Sequence, residues 1–279
     1  MRITVKNALL EGTQLLERAS VPAPRLTAEV LLCHALGRQP KSYLYGHGEE
    51  PLTEVAWIHY GRYLHERLQG KPTQYITKRQ EFWGREFRVT PAVLIPRPET
   101  EHVIEVALER ARSARTVVDI GTGSGALAVT WQLETGSSVC ATDLSPEAIQ
   151  VARQNAQSLG AAVQFAVMDL ASALAANTFE LVLSNPPYIP DPEGPMLQRE
   201  VRDWEPALAL FGGPTGVEIY ERLVAGAHRI LKPGAWLIME IGYQSRDRIL
   251  NLLEDWDEVD CTADLAGWPR VISARRRSR

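Results

Sequence analysis

The sequence predicts an α/β protein in which a mostly parallel sheet is covered by helices on both faces, behind a small helical bundle. Three observations carry this reading. Residues 1–73 show helical periodicity only. From Thr116 onward, short apolar strands alternate with amphipathic segments, the pattern of a parallel sheet. Between them lies a stretch rich in aromatic and β-branched residues, the composition of a hairpin.

The first helix is expected over Val5 to Ala19, with Leu9, Leu15, Leu16 and Ala19 near one face. Pro22 and Pro24 break the pattern. It resumes from Arg25 to Leu36 with Leu26, Val30, Leu31 and Cys33, and Gly37 stops it. Thr53 is placed to cap a long helix running to Gln69, which Gly70 and Pro72 end. Short links between helices imply a bundle. This N-terminal domain, 1–73, contains no catalytic constellation and reads as a packing domain or as a docking surface for a macromolecular substrate. A hairpin linker is expected over 74–97, with Tyr75, Ile76, Phe82, Trp83, Phe87 and Val89 and a turn at Gly84. It ends in Ile95-Pro96-Arg97-Pro98-Glu99-Thr100-Glu101, where two prolines hold the backbone extended before a helix begins near Thr100.

The remaining domain, 98–279, carries strand candidates at Thr116–Ile120, Val139–Thr142, Val163–Val167, Phe179–Ser184, Ala235–Glu240 and Val271–Ala274. Helices are expected at Ala126–Leu133, Pro146–Leu159, Val217–Leu231 and Ser245–Leu253, with Ser145 as a cap before Pro146.

The 279 residues are 45% hydrophobic and 23% charged, enough to build a core without metals or disulfides. A net charge of -4 and a pI near 5.9 argue against a protein that coats nucleic acid. Arg275, Arg276, Arg277 and Arg279 form a basic run that reads as a solvated tail. Cys33, Cys140 and Cys261 include no Cys-x-x-Cys pair, which fits a reducing compartment. Histidines are scattered, so no zinc site is suggested, and His59 and His65 read as ordinary helix residues. The N-terminus lacks a long apolar run after a basic start, and no window is long and apolar enough for a membrane span. The expectation is a cytoplasmic protein.

Strand Thr116–Ile120 runs into Gly121-Thr122-Gly123-Ser124-Gly125 and then a helix. Glycines let a backbone turn tightly and approach a ligand closely. Asp119, at the strand end, is placed to accept a hydrogen bond from a ligand amine or water. The next strand ends at Asp143, where a carboxylate reaches ribose hydroxyls. Taken alone the loop fits a methyl donor or a nicotinamide, since Gly121, Gly123 and Ala126 also match a dinucleotide fingerprint.

The segment Ser184-Asn185-Pro186-Pro187-Tyr188 decides more. It follows a strand, and ligands of open α/β sheets bind outside the carboxyl ends of strands. Its chemistry suits nitrogen methylation. An amide nitrogen is a poor nucleophile because its lone pair is delocalised, so it must be held in line with the donor methyl. The Asn185 side-chain oxygen and the Pro186 carbonyl offer two acceptors for one NH2 group. Tyr188 offers an aromatic face to a planar group. Catalysis then rests on positioning rather than on a strong base.

These residues resemble the release-factor glutamine methyltransferases, the PrmC/HemK family, over essentially the whole chain. The resemblance is carried by Ile95 to Glu101, Asp119 to Gly125, Ser184 to Ile189 and Glu205-Pro206-Ala207-Leu208-Ala209-Leu210. It implies a Rossmann-like class I methyltransferase fold with a mostly parallel seven-stranded sheet. It implies S-adenosyl-L-methionine as cofactor, S-adenosyl-L-homocysteine as product, and as substrate the glutamine of the Gly-Gly-Gln motif of peptide chain release factors. Donor binding falls to Asp119, Gly121, Thr122, Gly123, Ser124, Gly125, Asp143, Asp169, Leu170 and Asn185. Leu170 falls where a side chain covers the adenine. The glutamine falls to Asn185, Pro186, Pro187 and Tyr188. Arg97 resembles a residue near the cofactor, and an ion pair to Glu99 or Glu101 fits equally. Lys78 departs from the family, which often has glycine there. Asp191 to Gln198 reads as a flexible loop that orders on substrate binding. A monomer that touches neither membrane nor nucleic acid is expected.

Three other readings carry their own signatures. A nucleic-acid nitrogen methyltransferase of the adenine-N6 type predicts a basic groove and salt-dependent binding. A nicotinamide oxidoreductase predicts a hydride-transfer acid or base, and no candidate is evident. A non-catalytic scaffold does not need both an intact donor loop and an acceptor motif.

Overall fold

The computed structural model describes residues 3–37 and 39–278. In chain order it contains α1 (Val5–Arg18), α2 (Pro24–Ala35), α3 (Lys41–Gly46), α4 (Glu54–Leu68), α5 (Thr73–Thr77), β1 (Arg79–Phe82), β2 (Arg85–Arg88), α6 (Glu101–Ala111) and β3 (Thr116–Ile120). Then follow α7 (Ala126–Thr135), β4 (Ser138–Asp143), α8 (Pro146–Leu159), β5 (Val163–Val167), β6 (Phe179–Ser184), β7 (Ile189–Pro190), α9 (Arg199–Trp204), α10 (Ala207–Leu210) and β8 (Phe211–Gly213). The chain ends with α11 (Glu218–Ile230), β9 (Leu231–Glu240), α12 (Arg246–Asn251), β10 (Asp257–Ala263) and β11 (Pro269–Arg275). It divides into two compact units, Met1–Lys78 with Gln198–Trp204, and Arg79–Leu197 with Glu205–Arg279.

The first unit is a helical bundle. Thr4 and Thr53 cap α1 and α4 by accepting from Asn7 N–H and Ala56 N–H. The buried stripe of α1 is Val5, Ala8, Leu9, Gly12 and Leu16, a 3.6-residue repeat. Leu15 and Leu26, expected on core faces, are exposed because each lies one residue off its helix's buried stripe, and Ala19 is exposed because it lies just past the end of α1. Gly12 admits the Tyr60 ring, since a Cβ there would sit 1.9 Å from the phenol oxygen. Within the same unit Arg67 pairs with Glu200 of α9 at 2.6 Å, and the Lys71 ammonium lies over the Trp204 ring. The hairpin is shorter than its sequence window: residues 73–77 form a helical turn after Pro72, and only Arg79–Arg88 pair. Lys78 takes the left-handed conformation (φ 62°) that a glycine would adopt without strain.

The second unit holds a seven-stranded sheet in the order β10-β11-β9-β6-β3-β4-β5. The strands from β9 to β5 run parallel, while β11 is antiparallel to both of its neighbours. β10 lies beyond the strands expected from sequence. Its pattern is nearly all polar or half-exposed because it is an edge strand. The central strand β3 sends Val117 into one core with Leu127 and Trp131, and Val118 and Ile120 into the other with Tyr220 and Leu223. Ser145 caps α8 by accepting from Ala148 N–H, and Gly160 ends it in the left-handed conformation.

Two expected loose segments are built into this unit. β7 pairs with β8, and Asp191–Met196 forms 3-10 turns in which Gly194 is buried against the Phe211 ring. The basic terminus is also held: Arg275 donates to the Gly234 carbonyl and pairs with Glu258, and Arg277 pairs with Asp255 and Asp257. Arg279 lies outside the described residues. Among the described residues no helix is long and apolar enough to cross a membrane, and no cluster of His, Cys, Asp or Glu is fit to hold a metal ion.

Candidate active site

The sheet changes direction between β3 and β6. From β3 the chain winds outward through β4 to β5, and then returns to the other side of β3 as β6. Such a switch opens a crevice at the strand carboxyl ends. Ile120 and Ser184 are register partners there, joined by a bond from Ser184 Oγ to the Ile120 carbonyl at 2.7 Å. Gly121 and Asn185, the next residues, therefore leave the sheet side by side.

A cavity of about 450 Å³ lies at this point, within the size range of small-ligand pockets. Gly121, Thr122, Gly123 and Ser124 line it, together with Asp143, Asp169, Leu170, Asn185 and Pro187. A Cβ on Gly121 or Gly123 would meet no protein atom within 4 Å, so the backbone is bare toward the cavity. Gly125 instead faces protein, where a Cβ would lie 3.2 Å from that of Ala152. It serves close packing of the loop against α8.

Asp119 is fully buried and is not a lining residue. Its Oδ2 accepts from the Thr122 hydroxyl at 2.6 Å and from Ala128 N–H at 3.1 Å, tying strand, loop and helix start together. Burial, with the nearby Asp143 charge adding to it, pushes the Asp119 carboxyl up to about 7. Asp143 accepts from Gly123 N–H at 2.8 Å and from Ser145 N–H at 2.9 Å while lining the cavity. Burial raises its pKa, opposed by those N–H donors. Asp169 pairs with Arg222 at 2.5 Å, and Leu170 holds a left-handed backbone (φ 48°) that turns its side chain toward the cavity.

The Asn-Pro-Pro-Tyr segment is divided by the structure. Asn185 and Pro187 line the cavity, and Pro186 between them is buried. The Tyr188 ring packs on Gly242, where a Cβ would come within 2.9 Å of Cδ2, and on the second core. The ring is therefore packed against protein and does not line the cavity. Burial pushes its phenol up to about 12. Arg97 pairs with Glu205, neither with Glu99 nor with Glu101, and does not line the cavity. Glu205 also accepts from Ile95 N–H, so the Glu-Pro-Ala-Leu segment braces the Ile-Pro-Arg-Pro segment. Glu101 accepts from Trp83 N–H at the hairpin turn.

Three residues given no role by the sequence reading support the site. Asn155, fully buried on α8, accepts from Arg88 N–H and donates to the Arg88 and Ser124 carbonyls, so it clamps β2 to the glycine loop. Thr100 and Glu240 form a chain behind Asn185: Asn185 Nδ2 donates to Thr100 Oγ1 at 3.0 Å, and that hydroxyl donates to Glu240 Oε2 at 2.6 Å. Thr100 lies in a quoted motif, but Asn155 and Glu240 give no local signal.

A cavity with a bare glycine loop on one side and a strand-end asparagine on the other suits a nucleoside whose reactive end points at Asn185. The comparisons with known proteins fit this geometry. The PrmC N-terminal domain model matches residues 7–77, and the methyltransferase small domain model matches residues 100–197. The release factor glutamine methyltransferase of Koribacter versatilis is 45% identical over 98% of this chain and 99% of that protein. The chain belongs to the release factor glutamine methyltransferase family. The member from Nitratidesulfovibrio vulgaris is 41% identical over 98% of this chain and 95% of its own. The T. thermophilus 16S rRNA N2 G1207 methyltransferase, in complex with AdoMet and guanosine, superposes with a TM-score of 0.52 at 19% identity. The match covers 71% of this chain and 50% of that one. That likeness is one of fold alone. The fold is the class I methyltransferase fold, α/β with a seven-stranded, mostly parallel sheet and an N-terminal helical domain. The full-length relatives favour the protein-glutamine reading over the nucleic-acid one.

Proposed function

We propose that this chain transfers a methyl group from S-adenosyl-L-methionine to the side-chain nitrogen (N5) of the glutamine in the Gly-Gly-Gln motif of peptide chain release factors. The observation that carries the reading is the register pairing of Ile120 with Ser184, which sets the glycine loop and Asn185 at one cavity.

The donor supplies a methyl already activated on a sulfonium sulfur. Backbone atoms of Gly121 to Ser124 hold it, Asp143 accepts from its ribose hydroxyls, and Asp169 and Leu170 border its adenine. Asn185 Oδ1 and the Pro186 carbonyl accept the two hydrogens of the glutamine NH2 and so aim its lone pair. Those same oxygens stabilise the positive charge that grows on nitrogen. The nitrogen–carbon bond forms as the carbon–sulfur bond breaks, and the nitrogen gives one proton to solvent. The products are N5-methylglutamine and S-adenosyl-L-homocysteine.

The helical N-terminal unit serves as the docking surface for the release factor. This is supported by the apolar side chains it exposes, with Val55 at 63% and Ile58 at 59% on one helix.

The test is mass spectrometry of a release factor incubated with the enzyme and labelled donor. Label on the Gly-Gly-Gln glutamine is expected, and label only on other residues or on nucleic acid overturns the proposal. Asn185→Ala should lower turnover by about 100-fold or more, the scale of removing one transition-state hydrogen-bonding group, while the protein stays folded.

A further inference from the structure

The buried pair Thr100–Glu240 is engaged by no step above, yet it ends on the one side chain whose orientation the reaction needs. A carboxamide has two ends of similar shape and opposite hydrogen-bonding character. Only Oδ1 accepts from a substrate NH2, and Nδ2 would confront it donor to donor. A single-bond rotation of Asn185 exchanges the two. Something must select between them.

The structure supplies a selector. The Thr100 hydroxyl has one proton. Glu240, when ionised, can only accept, and its Oε2 lies 2.6 Å from Thr100 Oγ1. The Thr100 proton is thereby committed to Glu240. Thr100 Oγ1 is then left as an acceptor toward Asn185, and only the Nδ2 end satisfies it, at 3.0 Å. Thr100 and Glu240 are both buried, at 4% and 2% exposure, so water is poorly placed to substitute for either partner. Thr100 and Asn185 both line the cavity, which puts the selected end beside the bound substrate.

We propose that Thr100 and Glu240 are positioning residues for methyl transfer, their hydrogen-bond chain locking the Asn185 carboxamide with Oδ1 turned to the substrate amide. The inference rests on the methyl-transfer reading. It adds a consequence for acidity. Protonated Glu240 becomes a donor, frees Thr100 to donate toward Asn185, and admits the wrong amide orientation. Burial pushes Glu240 up to about 7, so this occurs near neutrality. The groups facing Glu240 are Arg270 from β11, Glu99 and Arg97 from the segment before α6, Tyr188, and Tyr220, whose hydroxyl donates to the Glu240 carbonyl. The two arginines favour the ionised form, and Glu99 opposes it.

The experiment uses the full chain, an intact release factor and S-adenosyl-L-methionine. Thr100→Val keeps the shape and removes the hydroxyl, whereas Thr100→Ser keeps the hydroxyl. We expect Thr100→Val to lower kcat by about 10- to 100-fold, the cost of a misdirected acceptor, with the calorimetric Kd for the donor changed less than about threefold. Thr100→Ser should restore most of the turnover. In the unaltered protein kcat should fall as pH drops through about 7, and in Glu240→Gln this acidic limb should vanish at a lower plateau. Unchanged kcat in Thr100→Val, equal losses in the Ser and Val variants, or an acidic limb that survives in Glu240→Gln would each overturn the proposal. The pH arm stands even if Thr100→Val does not fold. An unaltered protein that binds donor yet methylates no release factor would instead overturn the underlying reading, a distinct outcome.

Discussion

Replacing Asn155 by alanine tests whether the glycine loop is held from behind. The side chain is fully buried and makes three bonds: from Arg88 N–H at 2.7 Å, to the Arg88 carbonyl at 3.0 Å, and to the Ser124 carbonyl at 2.8 Å. Asn155→Ala leaves three backbone groups without a partner. The Ser124 carbonyl sits in a buried bond, and orphaning it costs about 1–3 kcal/mol. The Arg88 groups are only partly buried, so water recovers some of theirs, leaving about 0.5–1 kcal/mol each. The higher helix propensity of alanine returns about 0.5 kcal/mol. The sum is a loss of about 1.5–4.5 kcal/mol, or roughly 3–18 °C in Tm for a domain of this size. Because Ser124 lines the cavity, affinity for S-adenosyl-L-methionine should fall with it. Asn155→Asp, which keeps the acceptor but faces both carbonyls with oxygen, should do no better. Denaturant unfolding and donor calorimetry on the full chain measure both effects. A loss below about 1 kcal/mol with unchanged affinity would show that the loop holds its shape without the clamp.

Asp143→Ala removes the acceptor for Gly123 N–H and Ser145 N–H and should weaken donor binding by about tenfold or more; an unchanged calorimetric Kd would move the ribose contact elsewhere. Glu240 makes stability depend on pH: its folded pKa, near 7, lies above the ordinary 4.5, so the folded state holds the proton more tightly. That contribution is complete below about 4.5 and lost as pH rises through about 7, a drop on the order of 2–3 kcal/mol between pH 5 and 8. In Glu240→Gln the drop should shrink, with the part from Asp119 remaining, and matching unfolding curves from the two proteins would contradict it. Lys78→Gly relieves the left-handed strain at φ 62° and should stabilise by about 0.5–1 kcal/mol, read as a higher denaturation midpoint; a lower midpoint would mean that the lysine side chain contributes more than the strain costs. Val55→Lys and Ile58→Lys, on exposed sites of α4, should raise KM for an intact release factor several-fold without altering the donor Kd, and an unaltered KM would place the docking surface elsewhere.

The sequence alone determined the elements whose signals are local. Thr53 and Ser145 cap helices where their hydroxyls reach a backbone N–H three positions on, and β3, β5 and α8 begin and end where the pattern places them. The glycine loop and the Asn-Pro-Pro-Tyr segment were legible for the same reason, since backbone freedom at Gly121 and stiffness at Pro186 belong to those residues themselves. The edge strand β10 was not, because its alternating Val259, Cys261 and Ala263 are only half-buried or exposed and make a short, weak apolar signal. Nor were the partners that act across long separations. Asn155 lies 67 residues from Arg88, and Glu240 lies 140 residues from Thr100. Arg97 chose Glu205 over two nearer carboxylates for the same reason. Only the folding of β6 against β3 decided which motif residues share a cavity, and it turned Asp119, Gly125 and Tyr188 toward protein while leaving Gly121, Asp143 and Asn185 open to a ligand. A side chain's chemistry is written at its own position, but its direction is set by packing against residues that the order of the chain keeps far apart.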